Sequence, residues 1–193
     1  MTKKEQLEQL NKKMLVCSKC VLRKTCRTVV PGEGNADTEI MFIGEGPGKK
    51  EDELGRPFVG SAGKFLDEMF AAIKTKREDI YIANVVKCRP PANRDPLPKE
   101  AIACWPWLEQ QVKIINPKLI VLLGRHSMEK FLPGQKISQI HGKALRKDMP
   151  GFGPMVFYVL YHPAAALYNG SMRGTLIEDF KKIPKVLRAI LRG

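Results

Sequence analysis

No stretch of this 193-residue sequence approaches the ~20 consecutive apolar residues that a membrane helix requires. The longest aliphatic run is Leu119–Leu123. Met1–Lys13 is charged and polar with no apolar core, so a cleaved secretion signal is not expected and a cytoplasmic location is. No internal repeat or low-complexity tract appears, which sets solenoids and disordered arrays aside. Acidic residues are scarce: 20 against 33 Lys and Arg, a formal net charge of +13. Histidine is scarcer still, with three residues, so imidazole chemistry has few places to reside. Apolar residues at 44% and charged residues at 27% are ordinary for a globular chain, and the length suits one domain over residues 1–193.

The positive charge is uneven. Residues 1–30 carry eight basic and two acidic side chains, and Arg173–Gly193 carries six against two. A surface of this kind favours a polyanion, because neutralising phosphates releases condensed counterions. The five cysteines, Cys17, Cys20, Cys26, Cys88 and Cys104, are odd in number, which argues against a disulfide framework. Cys17-Ser-Lys-Cys20 lies in a Lys-rich segment ahead of any strand, unlike a thioredoxin-type redox pair. With Cys88 and Cys104 it can supply four thiolates to a tetrahedral zinc or to an iron–sulfur cluster, and spacing alone does not separate the two. Cys26 reads as a small buried hydrophobe.

Four β-rich runs stand out: Ile40–Ile43, Ile80–Val86, Leu119–Leu123 and Met155–Leu160. Helical patterns alternate with them. Ser61 can cap a stripe of Phe65, Leu66, Met69, Phe70 and Ile73, and Pro98 suits the first turn of a second helix. A short helix is expected after Arg125, and an amphipathic one carries Leu176, Phe180, Ile183, Leu187 and Ile190. The alternation predicts an α/β fold, a three-layer α/β/α sandwich around a central four-stranded parallel sheet, with residues 1–30 packed on it.

Unusual residues mark the end of each strand: Gly44-Glu45-Gly46-Pro47-Gly48 after the first, Asn84 near the end of the second, Gly124 after the third and Tyr161-His162-Pro163 after the fourth. Open α/β sheets bind ligands at the carboxyl ends of their strands. A carboxylate, a carboxamide and an imidazole far apart in the chain can therefore meet in one crevice. The glycine turn is not a phosphate cradle. Only three residues separate Gly44 from Gly48 and Lys50 stands where a P-loop has its hydroxyl, while Glu51 replaces the third glycine of a dinucleotide fingerprint. Lys87–Pro98 holds four of the fourteen prolines, making a stiff loop that can present Arg89 and Arg94 to phosphates.

Together, GEGPGKKEDELGRPFVGSAG at Gly44–Gly63, NVVKCRPPANR at Asn84–Arg94 and HPAA at His162–Ala165 resemble the family 4, iron–sulfur uracil-DNA glycosylases, over Cys17 to about Asp179. The resemblance implies hydrolysis of the bond between deoxyribose and uracil, in single- or double-stranded DNA. It implies a structural [4Fe–4S] cluster on Cys17, Cys20, Cys88 and Cys104, with Cys26 spare. It further implies a uracil pocket of Gly44, Glu45, Gly46, Phe58, Asn84 and His162. Phe58 stacks on the flipped base, Asn84 reads its edge and His162 donates to O2. Glu45, or else Glu51, holds the water. Other branches have an Asp and an aromatic where Gly46 and Gly48 stand, so thymine is to be excluded differently, by the backbone or Glu51. His141-Gly142 stands where relatives have Arg-Gly. No inserted basic loop follows Asn84–Pro91, so ordinary turnover is expected rather than a covalent DNA adduct. Leu167 is the candidate wedge into the duplex. The expected setting is a monomer at the prokaryotic nucleoid, with room for a replication-clamp contact. The competing expectations are a non-catalytic iron–sulfur or zinc-stabilised DNA-binding module and a small-molecule nucleotide hydrolase.

Overall fold

The computed structural model describes residues 1–192. In chain order the elements are α1 (Lys3–Leu15), β1 (Glu33–Gly34), β2 (Ile40–Gly44), α2 (Lys49–Leu54), α3 (Ser61–Ala72), β3 (Tyr81–Asn84), α4 (Pro98–Ile115), β4 (Leu119–Leu123), α5 (Arg125–Phe131), α6 (Ile137–Ile140), β5 (Ala144–Met149), β6 (Gly153–Leu160), α7 (Ala165–Tyr168), α8 (Met172–Lys181) and α9 (Ile183–Leu191). The strands form one sheet in the order β1-β3-β2-β4-β6-β5. β3, β2, β4 and β6 are mutually parallel, and these are the four strands expected.

The sheet has six strands rather than four, because an antiparallel strand closes each edge. Their absence from the apolar pattern has a physical cause. β1 is two residues long. β5 alternates half-buried and exposed positions and carries Arg146, Lys147 and Asp148, the charged character of a solvated edge. Ser61 is the first helical residue of α3, whose N-cap is Gly60. The expected single C-terminal helix is two, α8 and α9, meeting at Lys182 just before Pro184.

Period-two alternation sorts the central strands onto two cores. Met41, Ile43, Ile120, Leu122, Phe157 and Val159 face α1, α4 and α5. Phe42, Val121, Leu123, Tyr158 and Leu160 face α3, α8 and α9. This is the expected three-layer sandwich. α1 joins the first layer by burying Leu7, Leu10 and Met14, and a Thr2–Glu5 capping box starts it. The connection out of β2 leads to β3 on one side, while that out of β4 leads to the β5–β6 hairpin on the other. The sheet therefore has its switch point between the carboxyl ends of β2 and β4, where doubly wound folds open a crevice. Among the described residues, no helix is long and apolar enough to cross a membrane.

Candidate active site

A cavity of about 380 Å³ opens at those strand ends, within the range of small-molecule pockets. Glu45, Gly46 and Gly48 line it from the turn after β2, Asn84 from the end of β3, and His162 and Ala164 from the segment after β6. Glu51, Phe58, Pro90, Asn93, Arg94 and Tyr168 complete the wall.

Phe58 is buried with φ at +51°, a left-handed backbone that a bulky residue adopts only when its surroundings impose it. Three groups impose it here. Arg77 donates to the carbonyls of Pro57 and Phe58, and is itself held by Glu33 and Asp67 at 2.9 Å each. Glu51 accepts from the backbone N–H groups of Val59 at 2.9 Å and Gly60 at 2.8 Å through Oε1. Gly63 lets α3 lie against the loop, since a Cβ there would fall 1.8 Å from the Phe58 carbonyl oxygen. The ring ends 5.6 Å from the His162 ring, centroid to centroid, at 28°. Gly44 is required by proximity: a Cβ would sit 2.5 Å from Asn84 Oδ1 and 2.6 Å from the Phe58 ring.

Asn84 is 2% exposed and its Oδ1 has no hydrogen-bond partner. Buried polar atoms are nearly always paired, so an orphan acceptor marks a place built for something else. Beneath it, buried Lys87 donates to the Asn84 carbonyl at 2.9 Å and to Gln111 Oε1 at 2.6 Å, fixing the end of β3. Burial lowers the Lys87 pKa to about 8, with the Cys104 thiol opposing.

His162 accepts a hydrogen bond from the Ala164 backbone N–H at Nδ1, 3.1 Å away. That contact places the ring proton on Nε2, which remains free to donate. Burial lowers the imidazole's pKa to about 4, against an opposing pull from Glu51, so the ring is neutral near pH 7. Gly124, which follows β4 at φ +94°, lies against this residue, where a Cβ would stand a tight 3.0 Å from the His162 Cβ.

Glu45 has its carboxyl pushed above the usual range, chiefly by burial and further by Asp95, while His126 and Arg125 pull the other way. Glu51 is the less free of the two candidate carboxylates. Its Oε1 is committed to the Phe58 loop and its Oε2 lies beside Gly48.

The expected DNA contacts are placed unevenly. Arg94 reaches the cavity wall, but its guanidinium grips fully buried Glu100 in a two-pronged pair, at 2.9 and 2.7 Å. Arg89 donates to Asn93 at 2.7 Å. Leu167 is half exposed on α7, and the neighbouring Tyr168, unforeseen in the sequence, is 91% exposed at the cavity rim. His141 is tied into the protein itself: Nδ1 bonds buried Asp179 at 2.6 Å and the ring packs on Tyr161.

Cys17, Cys20, Cys88 and Cys104 line one apolar hollow with Met14, Leu22, Val29, Val86 and Trp107. Cys26 is buried and lies beside Cys88, outside that wall. Trp107 Nε1 donates to Cys17 Sγ at 3.2 Å and the Lys87 backbone N–H to Cys104 Sγ at 3.3 Å. Such N–H···S contacts suit sulfurs that carry charge. Thiolates on one zinc at 2.3 Å must stand ~3.8 Å apart. Among the described residues no three of these sulfurs lie within 4.8 Å of one another. As they stand, no single ion can bridge three of them, and the all-sulfur donor set fits a polynuclear iron–sulfur group.

The chain is similar to known proteins over most of its length. The family described as Uracil DNA glycosylase superfamily matches residues 31–188. The chain is 46% identical to a "Type-4 uracil-DNA glycosylase" of Sulfurisphaera tokodaii, covering 93% of this chain and 84% of that protein. It is 45% identical to the protein of that name from Archaeoglobus fulgidus (93% and 92% covered). Against the one from Thermotoga maritima identity is 41%, with 97% of each chain covered. The chain belongs to the uracil-DNA glycosylase superfamily.

Proposed function

We propose that this chain is a DNA-repair glycosylase that hydrolyses the N-glycosidic bond of uracil in DNA, leaving an abasic site. The observation that carries the reading is the orphaned Asn84 Oδ1, buried at the end of β3 in a cavity shared with Phe58 and His162. A base inside a duplex must leave the stack to be reached. Once flipped into the cavity, uracil lies against Phe58. Asn84 Oδ1 accepts from uracil N3–H, and the amide N–H of the same side chain donates to O4. Cytosine presents an acceptor at N3 and a donor at N4, leaving both halves of the carboxamide unpaired. A buried polar site of that kind discriminates by up to ~10⁴ or more.

Bond cleavage moves the C1′–N1 electron pair onto the base. The neutral His162 ring donates from Nε2 to uracil O2, where the negative charge collects. A fixed donor placed this way contributes ~3–4 kcal/mol to the transition state. The sugar becomes oxocarbenium-like, and a water oriented by Glu45 adds its oxygen to C1′. The Glu45 carboxylate takes up the proton that the water releases. The products are the uracil anion, which is then protonated, and the abasic sugar.

We further propose that Cys17, Cys20, Cys88 and Cys104 hold a [4Fe–4S] cluster. When bound, it supplies a cross-link between the Cys17–Cys20 segment, the chain leaving β3 and α4, with no part in bond cleavage. Purified protein is expected to be brown.

The test uses matched oligonucleotides containing uracil, thymine or cytosine, followed by alkaline cleavage at abasic sites. Strand breakage at uracil alone, lost in Asn84→Ala and His162→Ala, is the expected result. Three intact strands with folded, cluster-loaded protein would refute catalysis and leave a DNA-binding module. Steep inhibition by salt is expected for a substrate that is a polyanion, and its absence would favour a small nucleotide instead.

A further inference from the structure

Two neighbours of Glu45, His126 and Asp95, have no part in the proposed reaction, yet they form a cluster with it. Its Oε2 lies 3.7 Å from Nε2 of His126, and the same nitrogen lies 3.1 Å from Asp95 Oδ2. One ligand atom from each of the three residues falls within 4.8 Å of the others.

Each member is anchored separately. His126 stands in the first turn of α5, and the adjacent Ser127 donates to the Ile43 carbonyl at 2.6 Å, pinning α5 to the strand that delivers Glu45. Asp95 comes from the proline-rich loop, where Arg125 pairs with it and the Arg94–Glu100 pair fixes the residue before it. The His126 Nε2 atom is buried and satisfies no hydrogen bond. An imidazole donates from Nε2 when protonated and in one neutral tautomer, whereas both carboxylates, when ionised, only accept. A small movement of either carboxylate completes a bond.

We propose that His126, whose Nε2 Glu45 and Asp95 both face, is a positioning residue that holds one oxygen of Glu45 and leaves the other to orient the attacking water. The proposal rests on the reading of Glu45 as the water-orienting carboxylate. The charged groups around it are Arg125 and Asp95, with Glu129 and Lys130 of α5 lining the adjoining hollow. Because His126 is among the groups that pull the Glu45 pKa down and Asp95 among those that push it up, removing each moves the acid limb in opposite directions.

The experiment measures single-turnover uracil excision from about pH 5 to 9, with thermal midpoints, for His126→Gln, Asp95→Asn, Glu45→Gln and the Glu45→Gln/His126→Gln double variant. His126→Gln is expected to lose about ten- to a hundredfold in rate. Its acid limb should move to higher pH, and that of Asp95→Asn to lower pH. In the Glu45→Gln background the His126 change should add nothing. A wild-type rate and limb in His126→Gln would overturn the proposal. So would an equal further loss in the double variant, or a rate loss matched by a fallen thermal midpoint with the limb unmoved. If Glu45→Gln itself keeps the wild-type rate, the Glu45 reading fails first and this proposal with it.

Discussion

Two carboxylates flank the cavity, and replacing each by its amide separates their roles. Glu51 Oε1 accepts two backbone N–H groups at the start of α3, at 2.9 and 2.8 Å, and so holds the loop that presents Phe58. A hydrogen bond to a charged group contributes ~1.5–3 kcal/mol, and loss of the charge about halves it. Taking the lower figure for a partly solvated site, Glu51→Gln should cost about 1.5 kcal/mol over the two bonds. In a chain of this size that lowers the thermal midpoint by ~3–6 °C. The amide oxygen still accepts, so the Phe58 ring shifts by well under 1 Å and excision slows by about tenfold or less. Glu51→Ala leaves both N–H groups unpaired and should roughly double the stability loss. Glu45→Gln behaves oppositely: it removes a general base worth ~10²–10⁴ in rate, with little change in midpoint. Single-turnover excision and thermal unfolding of the three variants, run together, decide the matter. A loss in Glu51→Gln as deep as that in Glu45→Gln, at an unchanged midpoint, would show that Glu51 holds the water.

His162 predicts acid sensitivity of a definite sign. Its pKa falls from an ordinary ~6.5 in the unfolded chain to about 4 in the fold, so the unfolded state binds the extra proton. Its contribution to stability is therefore complete above about pH 6.5 and is lost as pH falls toward 4, and thermal midpoints of His162→Gln should decline less steeply over that window. Cys88→Ser should bleach the visible absorbance of the purified protein and lower its midpoint; full colour in that variant would remove Cys88 from the ligand set. Gly63→Ala forces a Cβ to within 1.8 Å of the Phe58 carbonyl and should abolish uracil excision, or prevent folding, where Gly174→Ala, with open space around it, changes neither. Tyr168→Ala should weaken DNA binding, read by fluorescence anisotropy, while leaving the midpoint within ~1 °C, because its ring is 91% exposed.

The parts of the fold legible in the sequence are those whose burial is two-sided. Leu119–Leu123 is apolar throughout because helices cover both faces, and its boundaries in the structure are the same. The edge strands escaped notice because one is two residues long and the other carries its charges into solvent. Asn84 and His162 stood out as polar residues where a buried strand ends. His126 did not stand out: it lies two residues past Gly124, already inside α5, where a polar residue in a first helical turn is unremarkable. Arg77 gave no signal: its hold on Pro57 and Phe58 joins residues about twenty apart through a surface turn. The separation of the cysteine sulfurs, which argues for a group larger than one ion, is a tertiary quantity that spacing along the chain does not encode.

The fastening of Phe58 has a mechanical corollary. Arg77, Glu51 and Gly63 clamp its loop from separate directions, and the ring meets His162 on a wall that is already in place. A receptor that stiff does not reach toward the helix axis, so the polymer supplies the displacement. The work of unstacking and bending is then charged to the nucleic acid, and it varies with the local sequence and pairing. Lesions in loosely stacked or mispaired surroundings should be cleared ahead of identical lesions in stiff tracts, with the ordering set by the elasticity of the duplex.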